Sequence, residues 1–430
     1  MKTRFVLATL MISLICSIAA AEFRAAIAVR DVTPKELLSI SGGMGPSEPA
    51  KDFRGKLNVR ALAVADADTT TVICSTDFLG FPAALGNRVR EKVKNVPPEN
   101  ILIGCTHSHS APDMYGFPDE DGKVTTNLEY VDFVVSSLAD AVNEAVANLK
   151  PASVKIATGE AKEGIAYNYY APKLYDRRCH VMQFLGADGK PFITLVNYAS
   201  HPEILGPDSG FLSPDFVGPL YDRIAANGGG AGIYMNSAQG GMVTADNRDP
   251  KGGDDDIQTW EECIRIGNLL ADEALRIVAD APVQENPDLT CLAMRVTFPV
   301  ENEEMIQVSK ISPIGLGIGE NNTTSTQMNL VNLGNAQILT IPGEALPNIG
   351  FYLKRNMKGE HNFLFGLTND AFGYIMAKVD FKSFERYNYI SRTTLGEMTG
   401  EILIEEALKF INESPAPAGA KEKPKDDKSA

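Results

Sequence analysis

Histidine is scarce in this 430-residue chain, with five in all. Two of them, His107 and His109, stand two residues apart in "CTHSHSAPD", directly after the apolar run "NILIG". A third, His201, follows the apolar run "ITLVNYAS". Residues i and i+2 of an extended strand point to the same side, so His107 and His109 are expected to face one site. Two neutral imidazoles and a carboxylate, with a position left for water, form a catalytic zinc centre rather than a closed structural one. Such an ion polarises a carbonyl and brings the pKa of bound water toward neutrality, which suits hydrolysis of an amide or ester.

The pattern behind His107 and His201 recurs. "AQILTI" ends at "PGE", reaching Glu344, and "NFLFGL" ends at "TNDAFGY", reaching Tyr374. In four places an apolar strand delivers its first metal-competent side chain just past its C-terminal end, where open α/β sheets gather ligands. Plainer roles exist for each. Glu344 could answer the dipole of a following helix, and Tyr374 could be a packed aromatic, since tyrosine is not a common zinc ligand. Asp77 and Asp215 could each hold a metal-bound histidine by its second nitrogen, with N-capping the simpler role for Asp215. His180 and His361 read as structural.

These strand ends need a scaffold. Apolar and β-branched runs predict strands at 24–30, 59–66, 70–75, 101–104, 180–185, 192–199, 232–236, 291–298, 336–341 and 362–367. Helical spacing is clearest over 128–149 and continues in 257–278, where Asp254 to Asp256 would meet the helix N-terminus. Shorter helices are expected at 83–95, 215–226, 345–357 and 397–411. Several fully apolar strands imply an α/β fold of mixed β-sheets covered by helices on both sides, with the zinc site at the C-terminal ends of several strands.

The opening "MKTRFVLATLMISLICSIAAAEF" has two bases, an apolar core and small residues before Glu22, which predicts a signal peptide over 1–21 and an exported protein, periplasmic or secreted. No later run is long and apolar enough for a transmembrane segment. The tail from Asn412, rich in Pro, Ala, Lys and Asp, is expected to be disordered, leaving 22–411 as the folded part. A net charge of −15 argues against nucleic acid, whose phosphates need clustered Lys and Arg. Five cysteines outside the signal, without CxxC spacing, support neither a disulfide framework nor a cysteine metal site.

Taken in chain order, "VRDVTP" (29–34), the strand ending at Asp77, "THSHSAP" (106–112), "NYASHP" (197–202), "NSAQGGMVTADN" (236–247), "PGE" (342–344) and "NDAFGY" (369–374) resemble the catalytic domain of the neutral/alkaline ceramidases. The resemblance spans roughly 23–411. It implies one Zn2+ per chain, held by His107, His201, Glu344 and Tyr374, with Asn369 in its expected place. It implies that His109 lies beside the reacting centre as acid/base or orienting donor. The implied reaction is hydrolysis of a ceramide-like N-acyl amide or related acyl bond by zinc-activated water, on a small-molecule or lipid substrate, with peripheral membrane contact compatible.

The departures bear on the substrate. The family's Gly-Asp-Val-Ser-Pro-Asn segment becomes "GGMVTADN", with Thr244 nearest the essential Ser and Met242 in place of the Asp. A family arginine after Asn has no match in "YNYYAP", where Tyr169 follows Asn168, and "FKSFERYNY" makes Tyr387 the counterpart of a family tyrosine. A homologue that binds zinc or a ligand without turnover is the alternative. An amidohydrolase barrel would place its His-x-His nearer the N-terminus, and a metallo-β-lactamase would want an Asp where Ala111 stands.

Overall fold

Strands that are apolar on both faces require cover on both sides, and among the described residues three larger sheets supply it, each backed by its own helices. The structure, a computed structural model, describes residues 22–45, 48–119, 121–249 and 256–420. The expected signal peptide lies outside the described residues.

In the first sheet β1 (Arg24–Asp31), β2 (Asn58–Ala65) and β3 (Thr70–Thr76) run antiparallel, and β4 (Ile101–Cys105) returns parallel to β3. The return is made by α1 (Ala83–Lys92), and α2 (Leu128–Ala147) packs beside it. The second sheet repeats the plan with β5 (Ser153–Glu160), β6 (Arg178–Leu185) and β7 (Pro191–Tyr198) antiparallel, then β8 (Ala231–Asn236) parallel to β7. Helix α3 (Val217–Ala226) makes that crossover, and α4 (Trp260–Val278) packs on it. In the third, β9 (Leu289–Pro299), β10 (Thr323–Leu333) and β11 (Ala336–Thr340) are antiparallel, and β12 (His361–Phe365) is parallel to β11. Here α5 (Glu303–Ile311) follows β9, α6 (Pro347–Asn356) links the parallel pair, and α7 (Thr399–Glu413) lies against α6. A parallel pair needs a crossover that brings the chain back to the same end. Each sheet therefore contains one β–α–β unit.

The alternation of β7 shows how the layers form. Ile193 and Leu195 join Leu62, Ile73, Leu102, Phe184 and Phe365 in a core where the three sheets meet. Val196 and Tyr198 point the other way, into the core shared with α3 and α4. Asn197 stitches the units together: its Nδ2 donates to the carbonyls of Met235, Asn236 and Leu364 at 2.9, 2.8 and 3.0 Å. Asn236 Nδ2 in turn donates to Cys105 O and Thr106 O at 3.1 and 2.7 Å, and Gly366 N donates to Asn236 O at 3.0 Å. The C-terminal ends of the three parallel pairs are thus brought to one place.

The predicted elements occur with shifts at their ends, while β5, β10 and α5 are additional. Helix α4 opens at Trp260 rather than 257, because the Thr259 hydroxyl accepts from Glu262 N at 3.3 Å as its cap; Asp254 and Asp255 lie outside the described residues. Helix α7 runs to Glu413, and Lys358 Nζ donates to the carbonyls of Asn412 and Ser414 just where the tail was expected to begin. Residues 421–430 lie outside the described residues. The five described cysteines are free thiols. Among the described residues no helix is long and apolar enough to cross a membrane.

Candidate metal centre

Strand β4 stops at Cys105, and His107 adopts a left-handed backbone with φ +68°. The expected extended His-x-His therefore does not form. A non-glycine residue in this region is strained and is held there by its surroundings: His107 N donates to Phe78 O at 3.0 Å and its ring Nδ1 donates to Leu79 O at 2.5 Å. The bend still brings both imidazoles to one site. The His107 and His109 ring centroids lie 4.7 Å apart and those of His107 and His201 4.8 Å apart. Ligand atoms of His107, His109 and His201 all fall within 4.8 Å of one another.

His201 is fully buried and doubly tied to one carbonyl, its backbone N donating to Val243 O at 2.9 Å and its Nδ1 to the same oxygen at 2.7 Å. A carbonyl only accepts, so Nδ1 carries the proton in both His107 and His201, leaving Nε2 for another partner. That partner is Glu344, whose Oε2 lies 2.9 Å from His201 Nε2 and 3.5 Å from His107 Nε2. Glu344 and Ala345 form a two-residue strand parallel to Tyr374 and Ile375, which sets the carboxylate and the phenol side by side.

The residues here are of a kind that could hold a metal ion. A metal-bound histidine typically donates its other nitrogen to a carbonyl or carboxylate, which fixes its tautomer, and two imidazoles here are held that way with a carboxylate between them. Burial alone would press the His201 imidazolium down, but Glu203 and Glu344 outweigh it and raise its pKa to about 9. Burial likewise opposes the Glu344 carboxylate, yet His107 and His201 hold its pKa well below the usual range. His109 is pushed down to about 3, chiefly by burial, with Glu203 opposing. His107, His109 and His201 form a group that could hold a metal ion.

Tyr374 sits beside this set, its hydroxyl donating to Met242 Sδ at 3.1 Å. Thr244 is bridged to His201 through the backbone, and its side chain lies near the Glu203 carboxylate. Tyr387 packs against the same cluster as Tyr374 and Met242, its ring edge-on to Tyr170 and Phe384. Tyr389, two residues on, lines the pocket and packs against the Tyr374 ring at 6.0 Å. Glu203 was missed in the sequence, although its i+2 spacing from His201 in "HPE" repeats the spacing of His107 and His109.

The two candidate orienting aspartates do other work. Asp77 accepts from Asn58 N at 2.8 Å, and backbone carbonyls hold the histidine nitrogens instead. Asp215, with φ +54°, accepts from Leu205 N at 2.9 Å and Phe216 N at 2.7 Å, so it pins the loop after His201 rather than capping α3. Asn369 supports β4, accepting from Ile103 N at 3.2 Å and Arg90 Nη2 at 2.8 Å. His180 and His361 both contact Thr158 Oγ1, and His180 also meets Lys354.

A cleft enclosing about 890 Å3, part of it open to solvent, is lined at one end by His107, His109, Glu344 and Tyr374. The remaining lining is largely apolar, including Leu79, Phe117, Met305, Val308, Leu316 and Phe372. Among the described residues no Lys or Arg lines it.

No family model matches the sequence, and no curated protein matches it. The fold does have solved counterparts. A neutral ceramidase from Pseudomonas aeruginosa aligns with a TM-score of 0.75 at 15% identity, over 94% of this chain and 77% of that one. A ceramidase complexed with C2 aligns with a TM-score of 0.70 at 16% identity, again over 94% and 77% of the two chains. The chain thus has the mixed α/β fold of the neutral ceramidases, the fold that the motif order implied.

Proposed function

We propose that this protein is an exported zinc-dependent hydrolase that cleaves an N-acyl amide, or a related acyl bond, of a small lipid-like substrate. The observation that carries the reading is the pairing of His107 and His201, each with Nδ1 tied to a backbone carbonyl and Nε2 aimed at Glu344, at one end of an apolar cleft. His107, His201 and Glu344 would hold the ion, with Tyr374 as fourth protein donor. When bound, zinc supplies a Lewis acid that polarises the acyl carbonyl and brings water toward ionisation at neutral pH.

The chain's own residues supply the rest. The apolar lining receives a hydrocarbon group and keeps water from the reacting bond. His109 lines the cleft and its buried Nε2 has no protein partner, so it is free to take a proton and return it to the departing nitrogen. Thr244 offers a hydroxyl for orienting the substrate. A second reading has one specific support: Met242 occupies the Tyr374 hydroxyl, which suits a homologue that binds zinc without turnover.

Zinc content measured together with turnover on a panel of N-acyl amides and esters separates the two. Hydrolysis that is lost on chelation and restored by zinc is expected. Bound zinc with turnover no greater than that of His107→Ala would overturn the enzyme reading, and failure to bind zinc would overturn the site.

A further inference from the structure

We propose that Glu203 is a positioning residue, which holds the His109 imidazole with Nδ1 protonated and Nε2 bare toward the reacting centre. The kinetic consequence rests on the hydrolase reading above; the ring state does not. Glu203 Oε2 lies 3.6 Å from His109 Nδ1. That is just beyond hydrogen-bond length, and such contacts are often long in ligand-free sites and tighten on binding. The Thr244 side chain lies near the same carboxylate and favours its ionised form. One carboxylate therefore faces both groups assigned to substrate handling.

The placement of Glu203 is built into the backbone. His109 N donates to Pro202 O at 3.0 Å, and Ser213 N donates to Ser110 O at 2.7 Å. Ser108 Oγ donates to Ser213 O at 2.7 Å, and Asp215 takes the Leu205 N–H. The two loops that carry His109 and Glu203 are thereby clamped on either side of the pair. Only 12% of the His109 side chain and 19% of the Glu203 side chain are exposed, so water competes poorly for Nδ1.

Long-range 1H–15N spectra of the full chain labelled with 15N-histidine test this directly, since only five imidazoles are present. His109→Asn identifies the signals. The wild type is expected to show His109 as the Nδ1–H tautomer, Glu203→Ala to shift it toward Nε2–H, and Glu203→Gln to keep it, because the amide oxygen still accepts. A wild-type Nε2–H tautomer, or a Glu203→Ala spectrum unchanged at His109, overturns the proposal; the wild-type reading stands even if the alanine variant fails to fold. On any substrate the wild type hydrolyses, Glu203→Ala should lower kcat about 10- to 100-fold, with KM and zinc content little changed, and Glu203→Gln should recover most of it. An unchanged kcat overturns the positioning role. If the wild type hydrolyses nothing on the panel, the hydrolase reading fails, and the ring spectra still decide the role of Glu203.

Discussion

Glu344 Oε2 lies 2.9 Å from His201 Nε2 and 3.5 Å from His107 Nε2. One carboxylate oxygen is thus held between two imidazoles whose other nitrogens are committed to main-chain carbonyls. His109 does not share this double anchoring: its Nδ1 faces Glu203 at 3.6 Å and its Nε2 has no partner.

That separation predicts unequal mutants. His107→Ala and His201→Ala should lower zinc affinity by more than the roughly 10- to 100-fold typical of outer supporting groups. His109→Ala should keep most of the zinc and lose rate. Metal stoichiometry after dialysis, set beside kcat, reads both effects. Zinc loss in His109→Ala as complete as in His107→Ala would make it a third imidazole ligand, which the ring spacing also permits.

Tyr374 must change partners to bind a metal. Its hydroxyl now donates to a thioether, a weak acceptor, and burial followed by the Glu344 charge raises its pKa well above the ordinary phenol value. Adding zinc to the metal-free protein should produce the difference absorbance of one tyrosinate, absent in Tyr374→Phe. Met242→Ala removes the competing acceptor and should raise zinc affinity by up to about tenfold, the scale of one modest hydrogen bond. An identical absorbance change and affinity in Tyr374→Phe would leave His107, His201 and Glu344 as the protein ligands.

The strand ends were legible because β4 and β7 are apolar on both faces and stop where a histidine follows, a pattern that survives without knowledge of neighbours. Strand β10 was not legible. Its Thr326 and Asn329 are buried polar residues satisfied from afar, Thr326 Oγ1 donating to Asn369 O at 3.3 Å and Asn329 Nδ2 to Glu99 O at 2.8 Å, so hydropathy alone hides the strand. The turn at His107 depends on a left-handed local φ that side-chain type does not specify. Glu203 was within reach, because a carboxylate two residues from a candidate ligand histidine is a visible signal.

A buried ion pair lies elsewhere in the core. Lys354 Nζ donates to Asp176 Oδ2 at 3.0 Å and to Ser237 Oγ at 3.1 Å, just past the end of β8. Burial works against the Asp176 carboxylate, but Lys354 and Arg178 overcome it and hold its pKa well below the model-compound 3.8. A carboxylate whose folded pKa is depressed adds stability above its unfolded pKa and loses it as pH falls. Wild-type stability should therefore decline below about pH 4, and Asp176→Asn should flatten that decline. At neutral pH Asp176→Asn strands a buried ammonium and should cost about 3–5 kcal/mol, most of it recovered in the double variant with Lys354→Met. Urea midpoints at both pH values give the comparison, and additive single-variant losses would show that the pair is not coupled.

Gly240 meets the site from its other side. A Cβ there would lie 2.1 Å from the Glu344 carbonyl oxygen and 2.8 Å from Ala345 C, both backbone atoms that cannot step aside without moving the ligand strand. Gly241, next in sequence, differs in kind: its φ of +68° demands a left-handed backbone, but an added Cβ would meet only the Leu346 side chain, at 3.2 Å or more. The two glycines can therefore be told apart by what their alanine variants lose. Gly240→Ala should cost about 1–3 kcal/mol, as overpacking does, and should weaken zinc binding by displacing Glu344. Gly241→Ala should cost about 1–2 kcal/mol of backbone strain and leave zinc affinity near wild type. Denaturant unfolding gives the first quantity and competitive zinc titration the second. Wild-type zinc affinity in a folded Gly240→Ala would mean that Glu344 is not held in place by this contact.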